Sequence, residues 1–306
     1  TPMSARVPIS VLIPARNEAR NLRRCLDPLV DWADQIVVAD SGSSDGTVAI
    51  AESYGATVVQ FTYQGGWPKK RQAILDSFPF RNEWILLLDA DEILLGPIRQ
   101  EIGDAIRSSD REGFWLRFQI HFLGRQLRFG DTQLWKLCLF RKGAGRYERR
   151  LTTQDASMSD IEVHEHVVVS GRIGRLTNPV RHENWNALDR YIEKHNEYSN
   201  WEAKVHCGRL DGEIKPTPWG CQAARRRWLK RTLLSVPGSP ILLFVQKYFL
   251  KLGLLDGIPG LTYCGLQAVQ LFHVKAKMYE IRRSGGTAIT DGADAAAPSS
   301  GIDVLR

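Results

Sequence analysis

No run of eighteen apolar residues occurs in this 306-residue chain, so a conventional membrane-spanning helix is not expected. Its five cysteines, Cys25, Cys138, Cys207, Cys221 and Cys264, form no CxxC pair. That argues against a zinc site or a disulfide framework and fits a reducing compartment; each reads as a small apolar filler. The stretch "TPMSARVPIS" lacks the basic-then-apolar pattern of a secretory leader, which sets the expectation of a cytoplasmic protein. A Gly-rich phosphate loop, expected near the start of a sugar-nucleotide nucleotidyltransferase, is missing; "PARNE" stands there instead. No recognised nucleic-acid motif accompanies the basic residues, so a non-enzymatic nucleic-acid module is the weaker alternative. Acidic residues are outnumbered, 34 against 41 Lys and Arg, for a net charge of +7. Such a balance favours anionic partners: nucleotides, nucleic acid or an acidic membrane surface.

What is present is an alternation. Short apolar runs at "ISVLI", "QIVVAD", "ATVVQF" and "EWILLLD" are separated by helical patterns at 16–30, "DGTVAIAESYG" and "KKRQAILDSF". This predicts parallel βαβ units under a doubly wound sheet, with ligands at the carboxyl ends of the strands. After residue 112 longer, mixed strands are predicted at "GFWLRFQIHFLG", "KLCLFRK" and the alternating "IEVHEHVVVSG". Residues 187–205 read as an amphipathic helix with Leu188, Tyr191, Ile192, His195 and Tyr198 on one side.

The fourth apolar run delivers Asp89, Asp91 and Glu92 together, in "ILLLDADEILLG". Two aspartates one residue apart at a strand end can converge on a hard divalent cation; a solvated turn is the plainer reading. Around them lie "LIPARNE", which puts Arg16, Asn17 and Glu18 on a loop, and "VVADSGSSDGT", where Asp40 can accept from a base or ribose donor. Asp45 there reads as a helix N-cap. "GGWPKKRQAI" supplies Lys69, Lys70 and Arg71, either for a diphosphate or base or as a solvated helix start.

Taken together, "IPARNE", "ADSGSSDGT" and "LLLDADE" resemble the family-2 glycosyltransferases of the GT-A fold, an α/β nucleotide-sugar-binding fold with a Rossmann-like mixed sheet. "VHEHV", "HENW…YIEKHNEYS" and "FLKLGLLDGIPGL" resemble the lipopolysaccharide inner-core β-glucosyltransferase branch. The resemblance implies an inverting hexosyl transfer from a nucleotide sugar, UDP being the commonest carrier, with Mn²⁺ or Mg²⁺ as cofactor. It implies that Asp40 helps hold the nucleoside, that Asp89 and Asp91 serve the metal-diphosphate, and that Arg71 acts on the donor side. The donor set is then Pro14, Ala15, Asn17, Glu18, Asp40, Lys69, Arg71, Asp89 and Ala90. Metal ligands would be Asp91 and Asp89, with His182 of "VRHENW" matching a histidine that completes the sphere in related enzymes.

An inverting transfer needs a base for the acceptor hydroxyl. "VHEHV" offers Glu165 between His164 and His166, on a segment whose Val163 and Val167 share its face. Partial burial there would raise a carboxylate's pKa; a surface Glu on an edge strand is the alternative, and Asp131 the next candidate. In this branch the Glu of a VHE motif acts as the base, which points to Glu165. The branch commonly has Arg where Cys138 stands, leaving Arg141 as the candidate acceptor contact. Trp67, Trp135 and Trp185 either stack on sugar faces or pack internally.

The predicted organisation is a catalytic domain at 1–206, with a donor half to about 110 and an acceptor half at 111–206, then a basic and aliphatic helical region at 207–283 and a disordered tail at 284–306. In the second part Arg225, Arg226, Arg227, Lys230 and Arg231 precede "PILLFVQKYFLKLGLL". This suits helices lying in a membrane interface or packed on the catalytic domain. The expectation is a peripheral enzyme on the inner face of the cell membrane, acting on a lipid-linked saccharide and not on nucleic acid.

Overall fold

The computed structural model describes residues 6–63, 67–108, 110–150, 162, 165–184, 186–208, 212–284 and 302–304. The first four apolar runs are strands, as predicted: β1 (Val7–Ala15), β2 (Ala33–Asp40), β3 (Thr57–Phe61) and β4 (Trp84–Leu87). Helices α1 (Ala19–Leu26), α2 (Thr47–Ser53) and α3 (Lys70–Ser77) lie between them. All four strands are parallel and run in the order β3-β2-β1-β4. Ile9, Val11, Leu12, Val37, Val38, Leu86 and Leu87 are buried, which explains why these strands read as near-continuous apolar runs: helices cover both faces. The strand order reverses at β1, and the ends of β1 and β4 beside that reversal form the crevice where open α/β sheets bind ligands.

Past β4 the chain adds a two-residue strand β5 (Glu92–Ile93) and helix α4 (Gly96–Ser108), followed by β6 (Gly113–Phe122), β7 (Arg125–Gln126) and β8 (Leu134–Arg141). A small hairpin of β9 (Gly145–Tyr147) and β10 (Val167–Val169) stands apart, and β11 (Ile173–Glu183) returns to the sheet. The sheet continues from β4 as β8-β6-β11-β5, with β8 antiparallel to both its neighbours. Helix α4 and most of β11 escaped the sequence reading. Strand β11 is polar along much of its length, and a register shift between Arg175 and Pro179 breaks its alternation. Glu101 of α4 fills that irregularity by accepting from the backbone N–H groups of Thr177 (2.8 Å) and Asn178 (2.9 Å).

Of the strand predicted at "IEVHEHVVVSG", Val167–Val169 form it among the described residues, and Glu165 and His166 precede it. Val163 and His164 lie outside the described residues.

The C-terminal part comprises α5 (Leu188–Cys207), α6 (Gln222–Ser235), α7 (Ser239–Val245), a π-helical turn (Gln246–Leu250), a 3₁₀ turn (Gly253–Asp256) and α8 (Gly257–Arg283). Gly257 and Pro259 belong to the first turn of α8, where a missing N–H costs little. Helix α8 packs along α5, burying Leu271, Val274 and Met278. Lys277 of α8 donates to the carbonyl oxygen (3.0 Å) and Oδ1 (2.7 Å) of Asn196. Packing therefore runs on across residue 206. Of the tail, residues 302–304 pair antiparallel with β3, and 285–301 lie outside the described residues. Cys25, Cys138 and Cys264 are buried fillers as expected, whereas Cys221 is exposed.

Candidate active site

The acidic turn is built by two strand ends meeting. Leu88 N–H donates to the Leu12 carbonyl (3.1 Å), and Glu92 N–H closes back on the Asp89 carbonyl (2.9 Å). Glu92 then pairs with His182 across β5 and β11, and Glu183 N–H donates to the Asp91 carbonyl (2.9 Å). That ladder carries His182, ninety-one positions along the chain from Asp91, to within 3.3 Å of it: Nε2 faces Asp91 Oδ2. The buried Nδ1 of His182 makes no hydrogen bond, the nearest acid being Glu92 Oε1 at 3.9 Å.

The carboxylates are not left to repel one another. Asp89 accepts from Arg71 and, at 2.9 Å, from Lys136 Nζ, which also pairs with the buried Glu92. The side chain of Glu92 in turn accepts the Asp89 backbone N–H (2.8 Å). Burial opposes ionisation of Asp89, but the charges of Arg71 and Lys136 outweigh it and hold its carboxyl well below the usual range. Burial likewise acts against the Asp91 carboxylate and the His182 imidazolium, yet their mutual attraction wins: Asp91 is lowered and His182 raised. In Glu92 burial prevails, helped by the charges of Asp89 and Asp91, and its carboxyl is pushed up to about 7. Lys136 was missed in the sequence. Its signal was a cation in an otherwise apolar strand, "LWKLCLF", placed inward with Cys138 by the two-residue period.

Two cavities flank Asp89. The larger, about 480 Å³, is lined by Pro14, Glu18, Asp89, Ala90, Asp91 and His182 on one side and by Tyr191, His195 and Tyr198 of α5 on the other. The face predicted for this helix is thus largely in place, although Ile192 lies exposed outside it. Tyr191 stacks on His195 (centroids 3.9 Å), and Phe122 meets Tyr191 and Tyr263 edge-on at 5.5 Å each. The smaller cavity, about 300 Å³, contains Arg71, Asp89, Glu92, Trp135, Lys136, Glu162 and Glu165. Asp89, Leu134 and Tyr198 border both.

Other predicted residues serve as framework. Asn17 takes a left-handed backbone (φ 55°), which asparagine tolerates, and its Oδ1 accepts Ser44 N–H (2.8 Å). Asp40 is fully covered and accepts from Ser43 N–H (2.9 Å) and the Ser43 hydroxyl, so it pins the 41–44 loop. Glu18 is gripped by Asn21 (2.7 Å), Asn186 (3.1 Å) and Lys194. The carbonyl of Ala15 accepts Lys70 Nζ (2.9 Å). Asp45 Oδ1 accepts Thr47 N–H (3.0 Å), one position before the N-cap Gly46.

Glu165 is buried and lies 3.2 Å from Lys69 Nζ; the sequence had assigned Lys69 to the donor and given Glu165 no cation. Glu162, also missed, caps α3: its Oε1 accepts Gln72 N–H (2.9 Å) and its Oε2 Arg71 N–H (3.2 Å). Arg141 stands at the far end of β8, opposite Trp84 in register and paired with Glu83, and lines neither cavity. Asp131 is exposed and lines neither cavity. Trp67 packs against the core, Trp135 lines the smaller cavity, and Trp185 lies outside the described residues.

Among the described residues no three His, Cys, Asp or Glu side chains are disposed to hold a metal ion by themselves. Both oxygens of Asp89 already face cations, leaving Asp91 and His182 as the donor pair. An oxygen–imidazole pair on a cavity wall fits a divalent cation whose sphere is completed by phosphate oxygens and water. It does not fit an ion held by protein alone.

Residues 10–156 match the family described as Glycosyl transferase family 2. Over 296 residues the chain is 28% identical to the lipopolysaccharide core biosynthesis glycosyltransferase LpsC of Rhizobium meliloti (strain 1021), covering 91% of this chain and 94% of that protein. An uncharacterized glycosyltransferase of Rickettsia bellii (strain RML369-C) is 29% identical over 201 residues, 64% of this chain and 66% of its own length. Among solved structures, S. aureus TarS 1-349 in complex with UDP-GlcNAc covers 94% of each chain at 15% identity and a TM-score of 0.47. With its acidic turn at the reversal point of a mixed α/β sheet, the chain is similar to the family-2 glycosyltransferases, the match lying in residues 10–156, just under half of its length.

Proposed function

We propose that the protein is an inverting, metal-dependent hexosyltransferase that moves a sugar from a UDP-sugar to a lipid-linked saccharide of the lipopolysaccharide core or another cell-envelope glycan, while bound peripherally to the inner face of the membrane. The observation that carries this reading is the Asp91–His182 pair, 3.3 Å apart on the wall of the larger cavity. Similarity to LpsC along nearly its full length supports the envelope setting.

In this reading Asp91 and His182 would hold Mn²⁺ or Mg²⁺, which would supply positive charge against the departing diphosphate. Arg71 and Lys136 fix Asp89 beside it and keep the turn rigid. Asp40 and Asn17 shape the loops on the nucleoside side. The aromatic wall of Tyr191, His195 and Tyr198 gives sugar rings apolar faces to stack on. Glu165 takes the proton of the acceptor hydroxyl, Lys69 holding its carboxylate in place.

The test is UDP release from a panel of UDP- and GDP-hexoses with Mn²⁺, with rough lipopolysaccharide or its deacylated oligosaccharide as acceptor. Turnover with one UDP-hexose, stimulated by acceptor and abolished by chelator, supports the reading. Equal turnover in excess chelator would remove the metal, and no turnover with any nucleotide sugar would remove the activity.

A further inference from the structure

The basic helix α6 is a poor membrane anchor, because its cations are drawn inward: Arg226 donates to the Gln133 carbonyl (2.9 Å), and two others meet buried acids. Arg227 pairs with buried Glu148, and Lys230 with buried Glu202. The unpartnered apolar surface lies further on, from α7 through the 3₁₀ turn into α8. Ile241 is 70% exposed, Leu250 74% and Ile258 76%, with Leu242, Phe249 and Leu255 about them at half exposure or more. Side chains of this size in water mark a surface made for a partner.

Charge identifies the partner. Residues 214–279 contain ten Lys and Arg but a single acidic residue, Asp256, and Asp256 is buried. Lys251, Arg125 and Arg128 are exposed at this corner. Nearby, the exposed Asp131 faces Lys247. An apolar surface ringed by cations matches an anionic bilayer, with acyl chains below and phosphates around. No helix among the described residues is long and apolar enough to cross a membrane, so the corner lies in the interface.

The corner is also pre-shaped and tied to the active site. A Cβ at Gly260 would fall 2.2 Å from the Gly253 carbonyl oxygen, so only glycine lets α8 close onto the 3₁₀ turn. The Asp256 carboxylate accepts from the N–H groups of Arg128 and Phe129, each at 3.0 Å, which fastens the corner to the segment after β7. Just before β7, Leu123 (54% exposed) and Gly124 line the larger cavity, as do Tyr263 and Gln267 of α8. The exposed apolar surface and the cavity wall thus share α8 and the segment around β7.

Resting on the lipid-linked acceptor proposed above, we infer that the corner formed by residues 241–258 inserts into an anionic bilayer and turns the Leu123–Tyr263 side of the larger cavity toward the membrane. An acceptor carried on a lipid then reaches Asp91 and His182 without leaving the bilayer.

The test uses the full chain with vesicles of equal parts phosphatidylcholine and phosphatidylglycerol. Leu250→Glu and Ile258→Glu should each weaken sedimentation with vesicles by about tenfold or more, as should Ile241→Glu as a second site, while Arg225→Ala should change it less. The same variants should keep wild-type turnover on a deacylated, water-soluble acceptor and lose it on the lipid-linked one. Wild-type vesicle binding by the glutamate variants overturns the inference, as does a stable dimer that they dissolve, which would make the corner a contact between copies. If UDP-hexose turnover is absent in every protein including wild type, the functional reading fails instead, and vesicle binding still judges the corner.

Discussion

Arg227 of α6 and Glu148, just after β9, form a buried ion pair that holds the segment carrying Glu165 and His166 in place. One guanidinium nitrogen lies 2.9 Å from Glu148 Oε2, and another bonds Oε1. The same carboxylate accepts His166 N–H (2.9 Å), directly next to Glu165. Glu148 is fully buried and its carboxyl is held low: burial opposes the charge, but Arg227 and the His166 N–H outweigh it. The basic helix is therefore tied to the segment that carries Glu165.

Removing one partner of such a pair leaves a buried charge alone. Arg227→Ala should cost about 3 kcal/mol of stability or more, read from urea unfolding. Pairing it with Glu148→Leu should recover part of that loss. A wild-type unfolding midpoint for Arg227→Ala would show that the pair holds nothing.

Glu165→Gln should keep its circular dichroism spectrum and its affinity for UDP, yet lose turnover by about 10²-fold or more, as expected when a general base is removed. Turnover within a few-fold of wild type would place the base elsewhere. Glu162 borders the same cavity, but it is committed to capping α3.

Glu101 offers a test of fold rather than chemistry. Burial works against its charge, but the N–H groups of Thr177 and Asn178 outweigh it and hold the carboxyl below the usual glutamate range. A folded value below the unfolded one contributes stability above the ordinary range, and loses it as pH falls through the folded value. Glu101→Ala should therefore cost about 1–2 kcal/mol at neutral pH. The gap from wild type, followed by thermal melts, should narrow as the solution is acidified.

How much of this was legible depended on the kind of contact. The parallel half of the sheet showed in sequence because Val37, Val38, Leu86 and Leu87 are buried on covered strands and write their position as apolar runs. The Asp89–Ala90–Asp91 turn was visible for the same reason, as acids at the end of such a run. Strand β11 was not, since its bulge and polar residues erase the period. Lys136, Glu162 and Glu148 were hidden because their roles depend on partners 44 to 91 residues away, through contacts that local pattern does not record. His182 was named by resemblance, and the β5–β11 ladder supplies the physical reason for its place.

The account turns on Asp91 and His182 as the cation's protein ligands, and calorimetric titration of UDP with and without Mn²⁺ tests that most directly. Wild type should bind UDP at least about tenfold more tightly with Mn²⁺ than in chelator, since a fixed cation is the main partner of the diphosphate. Asp91→Asn and His182→Ala should each lose most of that enhancement while binding UDP alone as wild type does. Equal UDP affinity with Mn²⁺ and in chelator, or full enhancement in both variants, would contradict the account.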